Sequence, residues 1–162
     1  MKLFLDANVL FSAAYSPVGN ARSLMAAAVE RRFRMLVTDH VLGEAGRNLA
    51  RKAAHALASL EALEGWVQIV PAASTTTEAA VRALGIVLKD APVLAPAIDC
   101  EADLFVTGDA RHFGHLYGHS VHGVRVLALR AAYEKVAAQT LRPSPSPTPS
   151  ATPSRARGRG PG

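Results

Sequence analysis

Four acidic residues stand where their carboxylates can converge on one site. Asp6 and Asp109 each come soon after a short apolar run, and Asp90 directly precedes Ala-Pro, a pattern typical of a helix N-terminus. Glu44 lies inside a predicted helix. Taken singly, each acid has an ordinary explanation as a helix cap, a turn residue or a surface acid paired with an arginine. Together they favour a common site, because the stability of a fold does not require an acid cluster at one edge of a sheet.

An acid cluster of this kind is suited to binding a divalent cation. Carboxylates held close together repel each other, so one of them tends to stay protonated unless a cation neutralises the group. Oxygen ligands without a cysteine nearby or a histidine at ligand spacing favour Mg²⁺ or Mn²⁺. Water bound to such an ion can be deprotonated to attack a phosphate, and two ions roughly 3.5–4 Å apart stabilise both the attacking and the leaving oxygen. The chemistry indicated is phosphodiester hydrolysis.

Apolar runs without polar alternation predict the strands that position these acids. Residues 3–5, 35–37 and 104–106 are runs of this kind, as expected for strands that are covered on both faces in a parallel sheet. Two further strands are predicted over residues 66–71 and 124–127. Helical segments alternate with the strands, so the predicted fold class is α/β: a three-layer sandwich with a central, mainly parallel sheet of four to five strands flanked by helices. Ligands of such sheets bind at the carboxyl ends of the strands, where Asp6 stands.

Capping signals and helical phase place the remaining acids. Thr38 or Asp39 can cap the helix that contains Glu44, and a capping box over residues 75–78 predicts the start of a later helix. At about 100° per residue, Glu44 falls on the shoulder of the buried face of its helix, beside Asn48. From that position its carboxylate can lean over the edge of the sheet.

Length and charge indicate one folded domain followed by a tail. The 162 residues, 49% of them hydrophobic, suit a single domain over residues 1–140. Residues 141–162 are rich in Pro, Ser and Thr and end in Arg-Gly pairs, which predicts a disordered tail. Of the 18 basic residues, four arginines lie in this tail, which leaves 14 basic against 13 acidic residues in the body. A basic surface on the folded part must therefore be local.

Cysteine content and hydropathy indicate the cellular setting. Cys100 is the single cysteine, which excludes an intrachain disulfide framework and fits a reducing compartment. Asp6 interrupts the apolar N-terminus and argues against a signal peptide. No run approaches the roughly 20 apolar residues that span a bilayer. We therefore expect a soluble, cytoplasmic protein that does not bind a membrane.

Four stretches of the chain form an ordered set of motifs. They are LDANVL over residues 5–10, a helix containing Glu44, KDAPVL over residues 89–94 and ADLFVTGDARHF over residues 102–113. In order and spacing they resemble the PIN domain family, and most closely the VapC-type toxins of bacterial toxin–antitoxin pairs. The resemblance covers about residues 2–130.

This resemblance implies a metal-dependent endoribonuclease, active with Mg²⁺ or Mn²⁺, that forms homodimers and is inhibited by an antitoxin encoded nearby. It also implies that Asn8 and Thr107 help to hold the site. The acidic site implied, both catalytic and metal-binding, consists of Asp6, Glu44, Asp90 and Asp109.

Two arginines are candidates for binding the RNA backbone. Arg47 and Arg51 lie on the same side of the predicted helix as Glu44, three and seven residues further on, and guanidinium groups beside an acidic site can grip phosphates. The alternative for Arg47 is an ion pair with Glu44 within the helix. The Arg-Gly repeats of the tail add non-specific RNA affinity in one interpretation and are an inert end in the other.

The loop that follows the last motif is rich in histidine. His112, His115, His119 and His122 lie close together in the sequence, which raises the possibility of a zinc site. Neighbouring glycines predict a loop, and no cysteine is near, so solvated loop histidines are favoured over zinc ligands.

An endoribonuclease of the PIN type is the leading functional hypothesis. The alternative is a non-catalytic PIN-like module that binds RNA or another protein, which the presence of all four acids disfavours. A haloacid-dehalogenase-like phosphatase also has an aspartate after its first strand. That family requires a second aspartate two residues later, where this chain has Asn8.

Overall fold

One sheet of six strands organises the residues that the computed structural model describes, 1–86 and 91–139. The spatial order of its strands is β3-β2-β1-β4-β6-β5. All neighbours pair in parallel except β5, which pairs antiparallel with β6 at the edge. The strands are β1 (Lys2–Leu5), β2 (Arg34–Val37), β3 (Gln68–Ile69), β4 (Leu104–Thr107), β5 (Ser120–Val121) and β6 (Val124–Ala128).

Strand β1 lies inside the sheet because its side chains are apolar on both faces. Leu3, Phe4 and Leu5 are completely buried, as the unbroken apolar run predicts. Leu5 is in register with Val106 of β4, and the backbone N–H that follows Leu5 donates to the Val106 carbonyl at 3.0 Å. The carboxyl ends of β1 and β4 therefore meet at one point of the sheet edge.

Helices cover the sheet, so the predicted α/β class, with a mainly parallel sheet flanked by helices, is confirmed. Helix α1 packs against α3, and α2 packs against α8. Two short 3₁₀ turns, Ala54–Ala56 and Gly114–Leu116, connect some of the elements. The helices of the described residues are α1 (Ala7–Tyr15), α2 (Asn20–Glu30), α3 (Asp39–Lys52), α4 (Leu57–Glu64), α5 (Thr75–Ala83), α6 (Ala91–Asp99), α7 (Ala110–Phe113) and α8 (Leu129–Ala137).

Side-chain caps fix where two of these helices begin. The Thr38 hydroxyl accepts a hydrogen bond from the Val41 N–H at 3.3 Å and caps α3, which decides between the two predicted capping residues. The capping box predicted over residues 75–78 is wrong by one position. Ser74 is the N-cap of α5, since its backbone is extended and its hydroxyl accepts from the Thr77 N–H at 3.2 Å.

The edges of the sheet differ most from the sequence prediction. Of the strand predicted over residues 66–71, only Gln68–Ile69 form β3, an exposed edge strand whose one neighbour is β2, and the Val70 N–H adds a bond to the Val37 carbonyl at 2.8 Å. Strand β5 was not among the four to five predicted strands. It forms because His122 and Gly123 both have positive φ, +47° and +86°, which builds the tight turn of a hairpin.

Two further sequence predictions concern the C-terminal tail and membrane-spanning segments. The tail predicted over residues 141–162 lies outside the described residues. Within them, no helix combines the length and the apolar character that crossing a membrane requires.

Candidate active site

Three of the four predicted acids line one cavity at the carboxyl edge of the sheet. The cavity has a volume of about 710 Å³, and Asp6, Glu44 and Asp109 contribute to its wall. Asp6 follows β1 directly, and Asp109 follows β4 after one glycine. Because β1 and β4 are parallel neighbours, the two aspartates emerge at the same edge. Asp90, the fourth predicted acid, lies outside the described residues.

Asp6 is a buried carboxylate held by three donors. Its Oδ1 accepts from the Ala7 N–H at 2.7 Å, so Asp6 also caps α1. Its Oδ2 accepts from the Thr107 hydroxyl at 2.7 Å and from the Asn8 amide at 2.9 Å. Burial raises the pKa of Asp6 above its ordinary value, and the negative charge of Glu44 acts in the same direction, against these hydrogen bonds. Asp6 is therefore oriented by its neighbours but costly to keep ionised without a cation.

Asn8 and Thr107 join the ends of the two strands. The Thr107 hydroxyl accepts from the Asp109 N–H at 3.1 Å while donating to Asp6, and the side-chain amide of Asn8 lies 3.3 Å from it. The Asn8 Oδ1 accepts from the Gly108 N–H at 2.7 Å. A Cβ at Gly108 would lie 3.2 Å from that Oδ1. This contact explains why a glycine suits the position between the strand and Asp109.

Asp109 caps the short helix α7 and pairs with a histidine that the sequence analysis did not assign to the site. Its Oδ1 accepts from the His112 N–H at 3.2 Å, and its Oδ2 lies 2.6 Å from the His112 Nδ1. Partial burial acts to raise the pKa of Asp109, but the hydrogen bonds from His112 and its charge outweigh that effect and lower it. The Asp-x-x-His spacing could have identified this pair, because a histidine three residues after a capping aspartate lies close to its carboxylate.

Helix α3 supplies the other wall of the cavity. Glu44, Arg47 and Asn48 all line it, and the ion pair considered for Glu44 and Arg47 is absent from the described residues. Arg51 does not line the cavity; its guanidinium donates to the Asn48 Oδ1 at 3.3 Å on the exposed side. His40, also on this wall, was missed, although it lies four residues before Glu44 on the same helix face.

Tyr117 lies behind the two strand ends. Its hydroxyl donates to the Thr107 carbonyl at 3.1 Å. Burial raises the pKa of Tyr117, and the negative charges of Asp109 and Asp6 raise it further. No sequence pattern predicts this contact, because it depends on how the loop after α7 folds back on β4.

The donor chemistry of the cavity fits a hard divalent cation. Carboxylate oxygens from separate elements face one space, and the repulsion between Asp6 and Glu44 is the kind that a cation neutralises. Within residues 1–86 and 91–139, no group of three His, Cys, Asp or Glu side chains is arranged to hold a metal ion.

Comparison with known proteins decides the family. Residues 2–111 match the family model for the PIN domain, a span that contains all four predicted acids. The chain belongs to the PIN domain family.

The fold of this PIN domain also resembles a solved structure. A chain in the crystal structure of VapBC2 from Rickettsia felis, bound to a DNA fragment from their promoter, has a TM-score of 0.62 and 14% sequence identity. The similarity covers 79% of the present chain and 98% of the other. At this identity the likeness shows a shared fold. No curated protein matches the chain.

The four histidines between residues 112 and 122 are divided between two places. His112 lines the cavity that contains Asp6, Glu44 and Asp109. His115, His119 and His122 line a separate cavity of about 430 Å³ together with Leu84. The four histidines therefore do not form the single cluster that their proximity in the sequence suggests.

Proposed function

We propose that this PIN domain is an endoribonuclease that hydrolyses RNA phosphodiester bonds with Mg²⁺ or Mn²⁺. The observation that carries the proposal is the joint lining of one cavity by Asp6, Glu44, Asp109 and Arg47. Carboxylates suited to a cation and a guanidinium suited to a phosphate therefore line one space, with Asp6 and Asp109 at the strand ends and Glu44 and Arg47 on α3. The volume of about 710 Å³ lies within the range of pockets that take small ligands, which suits a nucleotide unit.

The proposed cation would be held by Asp6, Glu44, Asp109 and Asp90. A divalent cation, when bound, supplies Lewis-acid stabilisation of the charge that develops on the phosphate. Thr107 and Asn8 hold Asp6 in one orientation, and His112 does the same for Asp109. Arg47 attracts the RNA backbone to the cavity.

We further propose that the protein acts in the cytoplasm as the toxin of a toxin–antitoxin pair and forms a homodimer. Support comes from the motif resemblance to VapC-type toxins and from the shared fold with a chain of VapBC2. Toxicity on expression, relief by the product of an adjacent reading frame, and a dimeric mass by light scattering are the expected results.

The cleavage proposal is tested with the purified full chain and labelled RNAs, both structured and single-stranded. We expect cleavage with Mg²⁺ or Mn²⁺, none with EDTA, and a loss of at least about 100-fold in Asp6→Asn and Asp109→Asn, in the range seen when a transition-state contact is removed. Asp103→Asn is the matched control, since Asp103 is an exposed aspartate that precedes β4 at the opposite edge of the sheet.

Intact RNA under every metal condition, together with toxicity unchanged by Asp6→Asn, would contradict the proposal. RNA binding that survives loss of the acids, without cleavage, would favour the non-catalytic binding module instead.

A further inference from the structure

Gly43 lies directly beneath the guanidinium of Arg47 on helix α3. A Cβ built at Gly43 would be 3.0 Å from the Arg47 Nη1 and 3.8 Å from its Cζ. Side chains on a helix lean toward its N-terminus, so a residue covers the turn before it. The Arg47 side chain therefore extends back over the bare backbone of Gly43, toward the end of α3 that begins at the carboxyl edge of β2.

The positive charge of Arg47 is available to bind an anion at the cavity wall. Arg47 lines the active-site cavity, and within the residues that the structure describes it forms no salt bridge. A guanidinium that faces a cavity without an ion-pair partner there can bind a phosphate oxygen with charge-assisted hydrogen bonds.

We propose that Gly43 is a positioning residue, which lets Arg47 lie at the cavity wall and bind a phosphate of the RNA backbone. The inference rests on the proposed function, because it names how the same site would hold its substrate. A methyl group at position 43 would lie 3.0 Å from the Arg47 Nη1, closer than an ordinary van der Waals contact, so the guanidinium would have to shift from its place at the cavity wall.

Helix stability does not explain a glycine at this position. Alanine forms helices better than glycine, and the atom that a new methyl group would meet is the end of a flexible side chain. Gly43→Ala is therefore expected to fold at least as well as the wild type and to alter mainly the direction of Arg47. If Gly43 served folding alone, Gly43→Ala would destabilise the protein and leave RNA binding by Arg47 unchanged.

The chain offers a matched control in the same helix. Gly46 is also inside α3, and a Cβ there would meet only the Leu60 Cδ2 at 3.9 Å, an ordinary contact. Gly46→Ala makes the same chemical change with the same gain in helix propensity, but it leaves the space under Arg47 open.

The test is binding of a fluorescein-labelled single-stranded RNA, measured by fluorescence anisotropy in EDTA so that no cleavage occurs. We expect Gly43→Ala to bind about tenfold more weakly, as Arg47→Ala does, which is the loss expected for one charge-assisted contact. Gly46→Ala should bind like the wild type. The double variant Gly43→Ala/Arg47→Ala should bind no more weakly than Arg47→Ala alone, because both changes remove one interaction.

Thermal unfolding by circular dichroism accompanies each variant, and Gly43→Ala should not melt below the wild type. Wild-type affinity in Gly43→Ala, losses that add in the double variant, or a wild type that does not bind the RNA would each overturn the inference. If the wild type binds RNA but never cleaves it with Mg²⁺ or Mn²⁺, the proposed activity fails while the role of Gly43 stands. If the wild type cleaves and Gly43→Ala is unaffected, only the role of Gly43 fails.

Discussion

Thr107 is the residue through which the two aspartates of the site are connected. It is completely buried at the end of β4, its hydroxyl donates to Asp6, and it accepts from the backbone N–H of Asp109. A buried polar side chain among apolar neighbours is stable only because these bonds are made. The same hydroxyl fixes the direction of one carboxylate and the backbone position of the other.

Thr107→Val replaces the hydroxyl by a methyl group of similar size, so it removes the hydrogen bonds of Thr107 while keeping its volume. We expect Thr107→Val to lower the free energy of unfolding by about 1–3 kcal/mol, because partners of the hydroxyl are left unsatisfied. RNA cleavage should fall by about tenfold or more as Asp6 loses a donor. Urea unfolding and single-turnover cleavage measure the two effects.

Thr107→Ser serves as the control, since it keeps the hydroxyl and loses only a methyl group. A valine variant with wild-type cleavage and stability would contradict the connecting role of Thr107.

Elements differ in how much of their structure is contained in their own sequence. Strands β1 and β4 could be predicted because an unbroken apolar run is buried on both faces in any parallel arrangement. The edge strand β3 was also predicted, but its length was not, since that depends on how far it pairs with β2. Edge strand β5 depends on a turn in which His122 has a positive φ. A glycine in the sequence is only weak evidence for such a turn, and a histidine is none.

The same distinction holds for the candidate site. Asp6, Glu44 and Asp109 follow from strand ends and helical phase, and the same phase places His40 beside Glu44, whereas Tyr117 reaches Thr107 through a tertiary contact. Arg51 was predicted with Arg47 from a shared helix face. Arg51 lies about 6 Å further along the axis, at 1.5 Å per residue, and contacts Asn48 of the cavity wall without lining the cavity itself.

The carboxylate of Asp99, at the end of α6, accepts hydrogen bonds from the start of α5. Asp99 accepts from the Thr77 hydroxyl and, at 2.7 Å, from the Ser74 N–H. These bonds lower the pKa of Asp99 below 3.8, the hydrogen bond from Thr77 having the largest effect. A lowered folded pKa stabilises the protein at pH values above the unfolded pKa, and this contribution is lost as the pH falls through the folded pKa.

We therefore expect Asp99→Asn to destabilise the protein at neutral pH and to differ less from the wild type as the pH falls below about 4. Chemical denaturation at a series of pH values measures the difference. Thr77→Val, which removes one donor but keeps the carboxylate, should show a smaller change with the same pH dependence. A difference between Asp99→Asn and the wild type that does not change with pH would contradict this account.

For the whole molecule, a cation in the proposed site would add to the stability of the fold. Burial raises the pKa of Asp6, and the negative charge of Glu44 acts in the same direction, so keeping both carboxylates ionised costs stability that a bound cation would restore. A ligand that binds only the folded state stabilises it, by about 2.7 kcal/mol at 100 times its Kd. Stability measured with and without metal therefore reports on the site independently of cleavage.

We expect Glu44→Gln to be at least as stable as the wild type in EDTA but less stable than the wild type with Mn²⁺. In EDTA we expect the variant to melt at or above the temperature of the wild type, because the repulsion with Asp6 is gone. With Mn²⁺ the wild type should gain several degrees, and the variant should gain little, since a carboxylate ligand has been removed. Glu134→Gln, a change in an exposed pair with Arg130 on α8, should respond to Mn²⁺ like the wild type. An equal gain in Glu44→Gln and the wild type would show that the stabilising ion binds elsewhere, because an ion in this cavity must act on the charge of Glu44.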